Sequence, residues 1–381
     1  MLLASSQSAI GSVVLFAAVV IAAAYAFINI RNSRAEVGSE IELAANRKPY
    51  LTDEELEGTK LNRTLTMGML GLFLVAITLP LYWLAEPGRQ QGARADLERK
   101  FQSRGAAMFA PTAEGGFNCA FCHGGMQAEG GAVDYTVTDA NGAFVKQVKW
   151  YAPALNTVLL RYSRDEVRYI LTYGRPFSPM PPWGVKGGGP LNDQQLQNLI
   201  DYLSSIQLTP AESQAQVTKE LAKMRAMKNP DGSRTYPATV SDGELLFNLG
   251  YEDGFAGGAY ACGRCHTTNW SEHQKTADGS GALGPSLRAG ATRLRFPGSV
   301  LGPTQQTDFV CAGSEVGKLY GANGQGTGRM PGFCQTPEEK ADQTAFGEVG
   351  LDKKDSSDPV KVGGMLTQKQ VQAIVAYERG L

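Results

Sequence analysis

Cys119-Ala120-Phe121-Cys122-His123 and Cys262-Gly263-Arg264-Cys265-His266 decide how this chain is read. Both have the form C-x-x-C-H, the attachment signature of a c-type haem. Two thiols one helical turn apart reach the two vinyl groups of one porphyrin, and the adjacent imidazole then lies below the iron as proximal ligand. A C-x-x-C pair also binds zinc or works as a thioredoxin-like redox pair. Either alternative leaves unexplained why a histidine directly follows both pairs. The motifs therefore predict two covalently bound haem c groups, attached through Cys119, Cys122, Cys262 and Cys265, with His123 and His266 on the two irons.

A sixth iron ligand has to come from elsewhere in the chain. Two Met-Pro dipeptides follow the motifs: Met180 comes 57 residues after His123, and Met330 comes 64 residues after His266. A thioether in a loop stiffened by Pro and Gly suits a distal ligand, and His/Met ligation raises the haem potential. The alternative is that each is core filler. Met108, Met126, Met224, Met227 and Met365 lack the loop context. The remaining histidine, His273, lies in a polar run and reads as a solvated loop residue.

The two motifs sit in an internal repeat. Gly105-Ala-Ala-Met-Phe109 precedes the first and Gly243-Glu-Leu-Leu-Phe247 the second, and Pro153-Ala-Leu155 matches Pro285-Ser-Leu287. After each Met comes an amphipathic stretch: Leu191 to Tyr202 aligns with Leu366 to Tyr377 at a constant offset of 175. Leu196, Leu199, Ile200 and Leu203 fall at helical spacing.

The rest of the composition sets the surroundings. The chain has 381 residues, 43% of them hydrophobic, and a formal net charge of −1. Neither sign of charge dominates, so bulk electrostatics give nucleic-acid binding no support. Gly is high at 45, which points to long irregular loops. Residues 1–30 carry no charged side chain, and a second uncharged stretch runs from Thr64 to Ala85. About 20 apolar residues cross a bilayer, so two spans are expected, Ile10 to Ile30 and Thr64 to Ala85. A cleaved signal peptide is the alternative for the first, but no Lys or Arg precedes Arg31. Tyr82 and Trp83 at the end of the second fit an interfacial aromatic belt. The 31–63 loop carries Arg31, Arg34, Arg47, Lys48, Lys60 and Arg63, while the N-terminal tail has no basic residue. By the positive-inside rule the loop is cytoplasmic, with the N-terminus and everything after residue 85 outside.

Each repeat reads as helix, haem motif, Pro loop, short helix, Met loop and terminal helix, which is similar to the class I cytochrome c fold. That resemblance implies that the first and last helices of each half cross with Gly against an aromatic ring, Gly105 with Tyr202 and Gly243 with Tyr377. It also implies that the carbonyls of Pro153 and Pro285 hold the proximal imidazoles, an ordinary outer-shell role. The expected fold is all-α, with two N-terminal transmembrane helices followed by two tandem class I cytochrome c domains. The expected boundaries are a two-span anchor over 1–92, a first domain over 93–207, a linker over 208–240 and a second domain over 241–381. The linker reads as a charged helix, roughly Ala211 to Met227, followed by a turn at Asn-Pro-Asp-Gly. Cys311 and Cys334 are the two cysteines left over, and in an exported compartment they are expected to form a disulfide around Met330. Two free buried thiols are the alternative. The second half also carries a charged insert, 338–361.

Two haems with both axial positions filled would pass electrons and do little other chemistry, and no carboxylate pair, Ser/His/Asp set or phosphate loop stands out. The runs 81–90 and 365–379 resemble actinobacterial membrane-bound dihaem cytochromes c of quinol:cytochrome c reductase (bc-type) chains. That resemblance implies a bacterial cytoplasmic membrane, cytochrome b and Rieske subunits as partners, and a haem–copper oxidase as the onward acceptor. The alternatives are the dihaem subunit of a cbb3-type oxidase, which also places spans before two haem domains, a dihaem peroxidase with one open iron, and a purely structural subunit.

Overall fold

In a computed structural model of the chain, the described residues are 2–33, 54, 57–175, 178–251, 254–267, 284–314, 330–334 and 364–381. They divide into two units, Met1–Gln90 and Gln91–Leu381. His273, the 338–361 insert and most of the 31–63 loop lie outside the described residues.

Helices Leu2–Ser33 and Thr59–Phe109 account for the apolar stretches. Among the described residues one helix is long and apolar enough to cross a membrane, over Leu61–Phe109, while the first helix carries a shorter apolar run, Phe16–Ile28. The apolar side chains face outward, Phe73 at 63% and Leu84 at 79% exposure. An apolar surface of that kind suits lipid rather than water. The expected second span lies wholly inside Thr59–Phe109, and residues 86–92, expected to be a connecting segment, are helical too. Pro80 and Pro87 sit inside this helix.

The unit Gln91–Leu381 is mostly helical, and its helices start where the local sequence can satisfy their first N–H groups. Ser163 with Glu166, Asn192 with Gln195, Thr209 with Glu212 and Thr367 with Gln370 each form a reciprocal capping box. Each box satisfies two otherwise orphaned donors. Helix Asp193–Ser205 buries Leu196, Leu199, Ile200 and Leu203, the face its periodicity predicted. Helix Gln368–Glu378 buries Val371, Ile374 and Val375 in the same way.

Both halves contain the same helix crossing. A Cβ on Gly105 would lie 2.0 Å from the Asn198 carbonyl oxygen, and one on Gly243 would lie 2.0 Å from that of Ala373. Only glycine lets the two backbones approach so closely. The aromatic partners pack beside each crossing: Phe109 and Tyr202 have ring centroids 5.3 Å apart, and Phe247 and Tyr377 5.4 Å apart. Two apolar clusters follow, one built on Phe109, Leu196 and Ile200, the other on Leu246, Leu249 and Ile374.

The all-α expectation needs correcting. Strands β1 (Gly131–Thr138) and β2 (Phe144–Ala152) form an antiparallel hairpin between His123 and Pro153. Val133, Tyr135 and Val137 alternate with Asp134, Thr136 and Thr138, the period-2 pattern of a strand. Asp139 Oδ1 accepts the N–H groups of Asn141 and Ala143 at the turn, and Tyr135 packs edge-on against Trp150 across the strands.

Between the halves, helix Pro210–Ala226 packs as part of the second half. Val217 and Met224 join its apolar cluster. Ser213 Oγ lies 2.8 Å from Tyr260 Oη, and Gln214 donates to the Gly364 carbonyl at 3.1 Å.

Candidate haem sites

The two C-x-x-C-H motifs form short helices, Cys119–His123 and Gly263–His266. His123 Nδ1 lies 2.8 Å from the Pro153 carbonyl oxygen, and His266 Nδ1 lies 2.7 Å from that of Pro285. A carbonyl can only accept, so Nδ1 carries the proton in both rings. Nε2 is then left as the lone-pair nitrogen, the form in which imidazole binds a metal. Burial pushes the His123 pKa down to about 4, against the pull of the Pro153 bond, so the ring is neutral at physiological pH. Burial lowers the His266 pKa in the same way. Gly284 supports the second ring: a Cβ there would sit 2.6 Å from the imidazole Cε1.

The four motif cysteines are not disulfide-bonded. Burial raises the Cys119 pKa to about 11 and that of Cys262 well above its usual value. A structural zinc site needs four protein donors, with its cysteines as thiolates. Among the described residues no three His, Cys, Asp or Glu side chains gather closely enough to hold a metal ion. Two cysteines and one oriented imidazole at each motif would fit a haem, which brings four nitrogen ligands of its own.

Met180 and Met330 are held by matching devices. The Met180 N–H donates to Ser178 Oγ at 3.3 Å, and its carbonyl accepts the Arg175 N–H at 3.1 Å. The Met330 N–H donates to Ser314 Oγ at 3.0 Å, and its carbonyl accepts the Ser314 N–H at 2.9 Å. A glycine ends the helix before each: Gly174 after Arg164–Tyr173 and Gly313 after Leu301–Ala312. Both have positive φ, 70° and 77°, and a Cβ would lie 2.7 Å from the Met180 carbonyl oxygen in one case and 2.6 Å from that of Met330 in the other. Cys119 and Met180 pack on one apolar cluster, and Cys262 and Met330 belong with the other. Phe117 meets Trp183 edge-on at 5.8 Å, bringing the residues before the first motif against the residues after Met180.

Residues 103–203 match a family described as "Cytochrome C oxidase, cbb3-type, subunit III". This stretch holds Gly105, the first motif, Pro153, Met180 and Tyr202. It is a cytochrome c domain. No curated protein and no solved structure matches the chain. Within the cytochrome c domain the hairpin lies between His123 and the proline whose carbonyl meets it. The second motif lies beyond the matched residues.

Sequence reasoning missed Gly174, Gly313, Ser178, Ser314 and Gly284. Gly174 lies 6 residues before Met180 but Gly313 lies 17 before Met330, so no shared spacing marked the pair. The serines and Gly284 gave no signal either, because their roles depend on tertiary approach. The structure also joins Cys311 to Cys334, with Cα atoms 4.4 Å apart.

Proposed function

We propose that the chain is a membrane-anchored dihaem electron-transfer subunit of a respiratory complex. The observation that carries this reading is the repetition, around the second motif, of the geometry of the cytochrome c domain: Nδ1 to a proline carbonyl, a Met loop clasped by glycine and serine, and a glycine-tight helix crossing. Cys119, Cys122 and His123 would hold one haem with Met180, and Cys262, Cys265 and His266 the other with Met330. When bound, a haem with His and Met axial ligands supplies reversible one-electron transfer. The chain orients each imidazole, keeps it neutral, and surrounds each site with an apolar cluster. The apolar helix within Thr59–Phe109 supports anchoring in a bacterial cytoplasmic membrane.

For the parent complex, the resemblance to bc-type chains supports a place between a cytochrome b–Rieske quinol oxidiser and a terminal haem–copper oxidase. The printed description of the matched family favours a second reading, the dihaem subunit of a cbb3-type oxidase. Two paired Met loops weigh against a peroxidase, which needs an iron with an open position.

The first test is stoichiometry. The purified chain should carry two covalent haems. One haem, or haem extracted by acid, overturns the reading. The second test uses the native complex, isolated in mild detergent through a tag on this chain. Quinol reduction of the c haems that a quinol-site inhibitor blocks, with cytochrome b present, supports the bc-type place. No reduction by quinol, with oxidation by oxygen beside a haem–copper partner, supports the oxidase.

A further inference from the structure

The loop that orients His123 is tied on both sides to the polypeptide of the second motif. Pro153 supplies the carbonyl for the imidazole. Its neighbour Ala154 donates its N–H to the Ala256 carbonyl at 2.9 Å. Two residues before the proline, the Tyr151 carbonyl accepts Arg264 Nη2 at 2.8 Å, while Nη1 of the same guanidinium donates to the Gly257 carbonyl at 2.7 Å. Arg161 Nη2 donates to the Ala154 carbonyl at 3.0 Å. Arg264 lies between Cys262 and Cys265, inside the second motif itself.

The backbones meet here without side chains between them. A Cβ on Gly257 would lie 1.9 Å from the Ala152 carbonyl oxygen, and one on Gly130 would lie 2.4 Å from the Ala256 carbonyl carbon. Into this contact the fold places the forked guanidinium of Arg264 and that of Arg161, which is 7% exposed. Burying a guanidinium is costly, and two near each other repel. Backbone contacts alone would join the halves without that cost. A planar fork, however, can grip two carbonyls at fixed angles, which a lysine cannot do.

We propose that Arg264 is a positioning residue for the first haem site: the second motif, through this guanidinium, fixes the carbonyl track that orients His123, so the two sites form one coupled unit. The inference rests on the dihaem reading. It has an orientation component, because Tyr151 at the end of the strand and Pro153 and Ala154 just after it are carbonyl or N–H anchors of one short stretch. It also has a charge component, because a cation next to the proximal ligand disfavours the oxidised iron and raises its potential.

The test is a redox titration of the full-length holoprotein with each haem followed by its own low-spin EPR signal. The first haem is assigned by the shift that Met180→His imposes. Arg264→Gln should lower the midpoint of the first haem and move its EPR signal, although the substitution lies in the other haem's motif. Arg264→Lys should recover most of the midpoint, because it keeps the charge, and less of the signal, because it loses the fork. Gly257→Ala wedges the same junction without removing charge and should move the first haem's signal. This variant decides the matter if Arg264→Gln does not fold. A change confined to the second haem in Arg264→Gln, or no movement of the first haem in Gly257→Ala, overturns the proposal while two bound haems leave the dihaem reading intact. A chain with haem at the first motif alone overturns the dihaem reading, and the first haem's signal still answers for Arg264.

Discussion

A methyl group on Gly174 would press to within 2.7 Å of the carbonyl oxygen of Met180. At φ 70° and ψ −162° the backbone there is one that a side chain strains even in open space. Gly174→Ala is therefore expected to destabilise the protein by about 1–3 kcal/mol. It should also weaken the thioether-to-iron charge-transfer band of one haem. Gly313→Ala should do the same to the other haem, since it faces Met330 in the same way. Visible spectra of the two single variants, each losing part of the band, check this. Loss of the whole band in either variant would mean that the assignment of one Met to each site is wrong.

Trp183, close after Met180 in the chain, packs on the first apolar cluster and meets Phe117 edge-on. Trp183→Ala removes that contact from a half-buried position, at a cost of about 1–3 kcal/mol. Denaturant unfolding should show the loss, and Trp183→Phe should recover much of it. If Trp183→Ala leaves the unfolding midpoint unchanged, the ring is not holding the loop.

Glu378 is a buried carboxyl, 4% exposed, bonded to Gln306 at 2.9 Å. Arg379 donates to the other end of the Gln306 amide at 3.3 Å. Burial pushes the Glu378 pKa up from 4.5 to about 7, with the Gln306 bond working against the rise. The folded chain therefore keeps this proton to higher pH than the unfolded chain does. Stability from this group is full below the unfolded value and is lost as pH rises from 4.5 to about 7. The unfolding midpoint should fall over that window, and Glu378→Gln should flatten the fall. A midpoint that rises with pH through the same window in the wild type but not in the variant would contradict the sign.

The Cys311–Cys334 bridge joins residues 23 apart in sequence, with Met330 between them in the chain. Loop-closure entropy gives it about 3 kcal/mol. Reduction and alkylation of the bridge, followed by reoxidation of the irons, should loosen the second Met site before the first, read as loss of one haem's share of the thioether band. Simultaneous loss at both haems would show that the bridge supports the chain as a whole.

Much of the site was legible because the chemistry is local. A C-x-x-C-H run fixes its own geometry, and the resemblance to the class I cytochrome c fold implied the pairs Gly105 with Tyr202 and Gly243 with Tyr377. The hairpin was legible in principle. Val133 to Thr138 alternates, and Asn141-Gly142 marks the turn, but the resemblance to an all-α family overrode the period. Arg264 was not legible. Nothing in Cys-Gly-Arg-Cys-His says that the arginine reaches Tyr151, more than a hundred residues earlier, because that contact depends on how two halves pack. Glu378 was hidden for the same reason: on a terminal helix rich in polar residues, only tertiary structure shows which one faces inward.

The imidazole of each C-x-x-C-H motif bonds to a main-chain oxygen, that of Pro153 or Pro285, and not to a side chain. A carbonyl is present whatever residue occupies the position. No single codon change can delete the acceptor; a change can only shift it by altering the path of the backbone. The acceptor at 153 or 285 thus does not depend on that residue's own side chain, and the atom that sets the tautomer is inherited with the backbone itself.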